Sequence, residues 1–176
     1  KTEGRTFIVS GGYALFPLAL PTPISIRSSS SGLGLATVEE LLASKAYVSI
    51  VDRSPPPSHL LTSPSIKYIE TDILSNPAVT SAVDATVAWT RETKAPLGGV
   101  INCAGVGTAA KIIDAHGEPH SLDLWEFAIG VNLTGSFNLT RLVLKELVKV
   151  EPEEGQDGER GVVVFVASAA AVSVSF

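Results

Sequence analysis

A glycine-rich turn between an apolar strand and an amphipathic helix constrains this chain more than any other feature, and here it is written in two halves. Ser10, Gly11 and Gly12 close an apolar run at residues 6–9. Ser30, Ser31, Gly32, Leu33 and Gly34 open a stretch whose apolar positions Ala36, Val38, Leu41 and Leu42 recur at helical spacing up to about Lys45. Joined, the halves read Ser-Gly-Gly-Ser-Ser-Gly-Leu-Gly. A backbone that must turn sharply, pass close to a pyrophosphate and aim free helix N-terminal amides at it needs glycine at those points, where any Cβ would be a steric cost. A second apolar strand at residues 47–51 follows and ends at Asp52. That is about the spacing at which an acidic residue takes the ribose hydroxyls of an adenosine. The pattern points to dinucleotide binding, and the Asp52 carboxylate favours NAD over NADP.

Residues 13–29, between the halves, do not belong to such a turn. They are apolar, and Pro17, Pro21 and Pro23 exclude a regular helix. They are too short and too broken for a membrane span, and a strand precedes them, which a signal peptide does not allow. The expected organisation is therefore one dinucleotide-binding domain over residues 1–176, with 13–29 as an anomalous insertion.

Composition narrows the class of partner. With 176 residues, 45% of them apolar and 18% charged, the chain suits one soluble globular domain with a real core. A net charge of −5 gives no footprint for nucleic acid or an anionic membrane, so the expected partner is a small-molecule substrate. The lone Cys103 excludes an internal disulfide and fits a reducing, intracellular compartment, without choosing between mitochondrion, peroxisome and cytoplasm. His59, His116 and His120 are scattered in proline- and glycine-flanked surroundings, so no metal site is expected. With no methionine in it, the sequence does not begin at a translation start.

Along the chain, strand and helix patterns alternate. The proline-rich segment 53–59 reads as a loop, and 66–70 as a short third strand followed by Thr71, Asp72 and Ile73. Ser75 ahead of Asn76-Pro77 caps a helix whose core positions are Val79, Ala82, Val83, Ala85, Thr86 and Trp89. Pro96 and Gly98 break it, and residues 99–105 form a fourth strand ending in the small-residue turn Asn102-Cys103-Ala104-Gly105. Residues 106–119 are irregular. The stretch 121–150 is helical with apolar residues nearly all round, which predicts burial on more than one side. A polar hairpin loop at 151–160 leads to residues 161–168, which read as a buried strand. Glu39, Glu40 and the acidic residues at 151–154 read as solvated faces. Alternation of this kind predicts an α/β fold: a Rossmann-like doubly wound parallel sheet with helices on both faces.

The split Ser10-Gly11-Gly12 and Ser30-Ser31-Gly32-Leu33-Gly34, Asp72-Ile73, Asn102-Cys103-Ala104-Gly105, Val131-Asn132 and Ser168 together resemble the short-chain dehydrogenase/reductase family. Within it, the segment from Val131 to Asn138, Arg141-Leu142-Val143, Glu151-Pro152 and Glu159-Arg160-Gly161-Val162 is similar to the type-2 3-hydroxyacyl-CoA dehydrogenases. The resemblance implies an NAD-dependent oxidoreductase that interconverts a secondary alcohol and a ketone, 3-hydroxyacyl-CoA and 3-ketoacyl-CoA in that subgroup. It implies that Gly11, Gly12, Ser31, Gly32, Leu33 and Gly34 form the pyrophosphate turn, with Asp52 on the adenosine ribose. Asp72 and Ile73 would meet the adenine, and Cys103, Ala104 and Gly105 the ribose of the nicotinamide half. Asn132 would hold a water of the proton relay, and Ser168 would hydrogen-bond the substrate oxygen. A full-length form is expected to be a homo-oligomer.

The chain departs from the family pattern twice. Residues 13–29 interrupt the turn, and the sequence leaves the pattern after Ala171, before the tyrosine and lysine that the family places about a dozen residues beyond Ser168. Tyr13, Tyr47 and Tyr68 are the tyrosines present, and none has a lysine four positions on. The resemblance thus implies missing C-terminal strands and a chain that is inactive by itself. The alternative is a catalytically dead nucleotide- or partner-binding module. Gly12-Tyr13-Ala14 and Val172-Ser173 can both be encoded by splice-donor-like codons, which suggests that the two departures are retained introns. As written, the apolar strand from Gly161 to Ala167 would also be an uncovered sheet edge.

Overall fold

The computed structural model describes residues 1–11, 30–108, 110–155 and 158–168, with Ser30 and Ser31 by their backbone alone. Gly12, the insertion at 13–29 and residues 169–176 lie outside them. In chain order the elements are β1 (Thr6–Ser10), α1 (Ser30–Ala43), β2 (Tyr47–Asp52), α2 (Ser58–Leu61), β3 (Ile66–Glu70), α3 (Asn76–Thr93), β4 (Leu97–Asn102), α4 (Leu122–Ile129), a π-helical turn (Gly130–Gly135), α5 (Ser136–Leu147) and β5 (Val162–Phe165).

The central strands are apolar on both sides, and that decides the layering. Phe7, Val9, Val48 and Ile50 point to one face of the sheet, where α1 packs Val38 and Leu41 against them. Ile8, Val51 and Val100 point to the other, where Val79, Ala82 and Val83 of α3 meet Leu139, Val143 and Leu147 of α5. Burying both faces requires helices on both, and a parallel sheet supplies them through its crossovers. All four strand pairings are parallel, in the order β3-β2-β1-β4-β5. The expected doubly wound Rossmann-like sheet is what forms.

Register carries the candidate site to one edge. Ser10 pairs with Val51 and Asn102, Asp52 with Glu70, and Asn102 with Phe165, so the chain leaves every strand on the same side of the sheet. Between β1 and β4 the strand order reverses direction. That is where open sheets of this kind leave a crevice for a ligand.

Several expectations need correcting. Gly98 does not break the preceding helix from a turn but lies inside β4, whose six residues are all buried. The proline-rich loop contains the one-turn helix α2, which Leu60 anchors in the core. The stretch 121–150 is one-sided rather than buried all round: α4 has no buried residue, while Leu122, Trp125, Leu133 and Phe137 are 59–66% exposed. The reason is geometric, since only the side carrying Val131, Leu139, Val143 and Leu147 meets the sheet and α3. β5 is likewise not buried. Among the described residues it pairs with β4 alone, and Val162, Val164 and Phe165 are 39–56% exposed along the sheet edge. Of the acidic residues at 151–154, Glu153 is not a plain solvated charge. It meets the buried Arg5 at 3.1 Å, and Arg5 also donates to Leu97 O at 2.8 Å and to Arg160 O.

Candidate functional site

At the end of β1 the backbone passes unusually close to the end of β4. Gly11 takes φ 71°, and a Cβ there would lie 2.5 Å from Ala104 Cα and from Ala104 N. No side chain fits, so glycine is imposed at this position by two independent constraints, the left-handed φ and the neighbouring backbone. The two strand ends are also stitched by hydrogen bonds. Cys103 N donates to Ser10 O at 3.1 Å, and Ala104 N to the buried Ser10 Oγ at 3.4 Å. Ser10, read from sequence only as part of the turn, is therefore what joins its floor to Cys103 and Ala104.

Gly32 gives the complementary result. Among the described residues a Cβ there would meet nothing within 4 Å, and Leu33 beside it is 53% exposed, so none of them covers this part of the first turn of α1. The backbone amides of that turn have no intrahelical acceptor. Gly34, one step further in, is buried. Gly12 lies outside the described residues, and of Ser31 only the backbone is described.

The acidic residues stand where β2 and β3 end. Asp52 is buried at 5% exposure, and one of its oxygens accepts from Ser54 N at 3.0 Å. Tyr68 donates its hydroxyl to Asp52 O at 3.3 Å. Burial first, then the charges of Glu70 and Asp52, push the Tyr68 phenol above its ordinary value. Asp72 is half-exposed, accepts from Leu74 N at 3.0 Å and lies 4.0 Å from Arg53 across the edge. Ile73 is partly buried against the core beneath the sheet.

Past β4, Cys103 faces α1 rather than the edge. Burial raises its thiol pKa, with a smaller opposing effect from Thr37, so at neutral pH it is a protonated packing group. Asn132 occupies the π-helical turn, a helical irregularity frequent at functional sites. Both polar atoms of its side chain are engaged: Oδ1 accepts from Val106 N at 2.8 Å, and Nδ2 donates to Val106 O at 2.9 Å. This two-point clamp fixes the loop that leaves Gly105, and sequence reasoning missed Val106 because a backbone partner leaves no trace in residue type. Asn102 is a second polar anchor, visible only as a lone amide in an apolar run. Its amide donates to Thr140 Oγ1 of α5 at 3.0 Å and to Val164 O of β5 at 3.2 Å. Ser168 follows β5 on the same edge and is exposed. The edge thus brings together Gly11, the α1 start, Asp52, Asp72, the 103–105 turn and Ser168.

The family model described as short chain dehydrogenase matches residues 24–176. The 3-hydroxyacyl-CoA dehydrogenase type-2 of Bos taurus is 35% identical over 149 residues, which are 83% of this chain and 55% of that protein. The crystal structure of 3-hydroxyacyl-CoA dehydrogenase type-2 from Mycobacterium avium superposes with a TM-score of 0.76 at 28% identity, over 98% of this chain and 60% of that one. A short chain dehydrogenase from Leptospira borgpetersenii with bound NAD+ shares the fold, with a TM-score of 0.70 at 18% identity, over 99% of this chain and 55% of that one. The chain spans about half the length of the curated relatives it matches.

Proposed function

We propose, from the fact that this chain belongs to the short-chain dehydrogenase family, that it is the nucleotide-binding part of an NAD-dependent oxidoreductase acting on a secondary alcohol or ketone. The observation that carries this is Gly11 set against Ala104. A backbone floor that admits no side chain lies at the β1–β4 switch point, with the first turn of α1 on the same edge, an arrangement that suits a pyrophosphate. Asp52, buried at the end of β2, supports NAD over NADP, because a 2′-phosphate would meet its carboxylate.

When bound, NAD supplies a nicotinamide that exchanges hydride with the alcohol carbon. The chain's own residues do the rest. The α1 amides and the Gly11 backbone seat the pyrophosphate, Asp52 holds the ribose, and Asp72 with Ile73 borders the adenine. The 103–105 turn borders the nicotinamide ribose. Ser168 would orient the substrate oxygen, and the π-helical turn at Asn132 would hold a relay water through its backbone, since the side chain is committed to Val106. Likeness to the type-2 dehydrogenases supports a 3-hydroxyacyl-CoA substrate. No tyrosine here has a lysine four residues on, so these residues hold no general base of that kind, and this chain by itself should bind nucleotide without turnover.

The acidic balance favours a small-molecule partner over nucleic acid, and no helix among the described residues is long and apolar enough to cross a membrane. The unpaired, buried thiol of Cys103 supports an intracellular site of action. The exposed stripe Leu122, Trp125, Ile129, Leu133 and Phe137 supports self-association.

The test is NADH formation from 3-hydroxybutyryl-CoA and NAD, by this chain and by a longer polypeptide that continues it through a Tyr-x-x-x-Lys pair. Turnover by the longer polypeptide alone is expected. Turnover by the 176-residue chain would overturn the assignment of the missing base. A second reading, a binding module without chemistry, is favoured if the longer polypeptide binds NAD and still turns over nothing.

A further inference from the structure

The turn after β3 is plugged into the π-helical turn. A Cβ on Gly135 would lie 2.7 Å from Ile73 Cγ1 and 3.2 Å from Ile73 Cγ2, and a Cβ on Gly130 would lie 2.9 Å from Leu74 Cδ2. Ile73 and Leu74 therefore sit as two pegs against two notches: Ile73 fills one that only glycine leaves open at Gly135, and the half-exposed Leu74 lies over Gly130 by a terminal methyl that can shift. Asn132 lies between the notches. From Asn132 the contacts continue through the two-point clamp to Val106 and to Gly105, where a Cβ would be 3.3 Å from Asn132 Oδ1. At the other end, the carboxylate of Asp72 accepts from Leu74 N at 3.0 Å, so whatever Asp72 holds also orders the backbone from which both pegs project.

We infer that Ile73 is a positioning residue: through its seat in the Gly135 notch, nucleotide at Asp72 and Ile73 fixes the π-helical turn, and with it Asn132 and the Val106 end of the nicotinamide-side loop. A π turn is a local irregularity in a helix, and packed elements move between discrete arrangements rather than continuously. A branched side chain locked in a notch selects one of them. The inference rests on the reading that Asp72 and Ile73 border the adenine. It adds that the adenine half of the cofactor orders the other half of the site.

The experiment is hydrogen–deuterium exchange of the whole chain with saturating AMP, a probe without a nicotinamide. In the unaltered chain, exchange is expected to slow at the amides of the turn after β3 and, about fivefold, in residues 130–136 and 104–108. Ile73→Val, which keeps the branched peg, should preserve the transmitted effect. Gly135→Ala, outside the nucleotide site, should keep protection near Asp72 and lose it at Asn132 and Val106. Where it does not fold, Ile73→Ala answers the question with AMP raised to saturation for that variant, since Ile73 borders the adenine and its truncation weakens binding. Protection near Asp52 and Asp72 with none in 130–136, or transmission undiminished in Gly135→Ala or Ile73→Ala, overturns the inference while leaving the adenine site intact. No protection at Asp52 or Asp72 overturns the adenine site, and the inference with it.

Discussion

Gly11 is the residue on which the site depends most directly, since its φ of 71° and the 2.5 Å approach to Ala104 leave no room for adjustment. Gly11→Ala should lose about 3 kcal/mol of stability, read as a lower urea midpoint with an unchanged slope. Nucleotide binding should fall with it. A midpoint like that of the unaltered chain would show that the β1–β4 approach is looser than described. Arg5 is a residue of the other kind, structural and remote from the edge. Its side chain is 9% exposed and serves Glu153, Leu97 O and Arg160 O together, so Arg5→Ala should cost about 3 kcal/mol. Glu153→Gln, which keeps an acceptor, should cost about 1 kcal/mol in the same measurement. Tyr68 gives a pH dependence with a definite sign. Its folded pKa is raised, so its contribution is fully present below the unfolded value of about 10 and is lost as pH rises through the folded value. Tyr68→Phe should flatten the alkaline limb of a stability-against-pH curve, and an identical limb would contradict the burial assigned to the phenol. Gly11 and Asp52 could be singled out in the sequence because the proposed nucleotide turn demands particular residue types, and Asp72 through the family resemblance. Ser10, Val106 and the Arg5–Glu153 pair were not, because their roles depend on what another strand brings beside them.

At the scale of elements, periodicity located the strands and helices well and their exposure poorly. Residues 66–70 and the Ser75 cap fall where the pattern put them, with Ser75 Oγ accepting from Ala78 N at 3.4 Å. The π-helical turn was invisible, because a single extra residue in one turn does not disturb an apolar pattern that already runs nearly all round. For the same reason the pattern could not say which face of 121–150 is covered, and α4 and α5 leave a stripe of large side chains open. Leu133→Glu with Phe137→Glu should leave the unfolding free energy within about 0.5 kcal/mol, since both side chains are solvent-exposed. The pair should shift sedimentation toward the monomer, and an unchanged oligomer would place the association surface elsewhere. β5 depends on a different support, the Asn102 amide that joins it to Thr140. Thr140→Val leaves that buried donor with one acceptor fewer and should cost about 1–2 kcal/mol, seen as earlier hydrogen exchange at β5 than at β1. Equal protection of the two strands in that variant would show that the amide does not hold the edge.

For the whole molecule, the doubly wound sheet follows from the alternation of strand and helix and from central strands apolar on both faces. The sheet ends, where the sequence pattern was richest in glycine and acid, are where the proposed nucleotide-binding residues gather. The insertion at 13–29 stands between the two halves of the turn in sequence, yet Gly11 and α1 take up their places on the edge. The chain spans about half of each dehydrogenase it resembles in sequence, and more of its residues enter the proposed nucleotide binding than the proposed substrate chemistry. The most direct measurement is therefore calorimetric titration of NAD and NADP into the 176-residue chain and into its Asp52→Ala variant. The account predicts that NAD binds at least about tenfold more tightly than NADP, a difference of about 1.4 kcal/mol, and that the variant loses most of that preference. Absence of NAD binding, or equal affinity for the two nucleotides with no response to the Asp52 substitution, would contradict it.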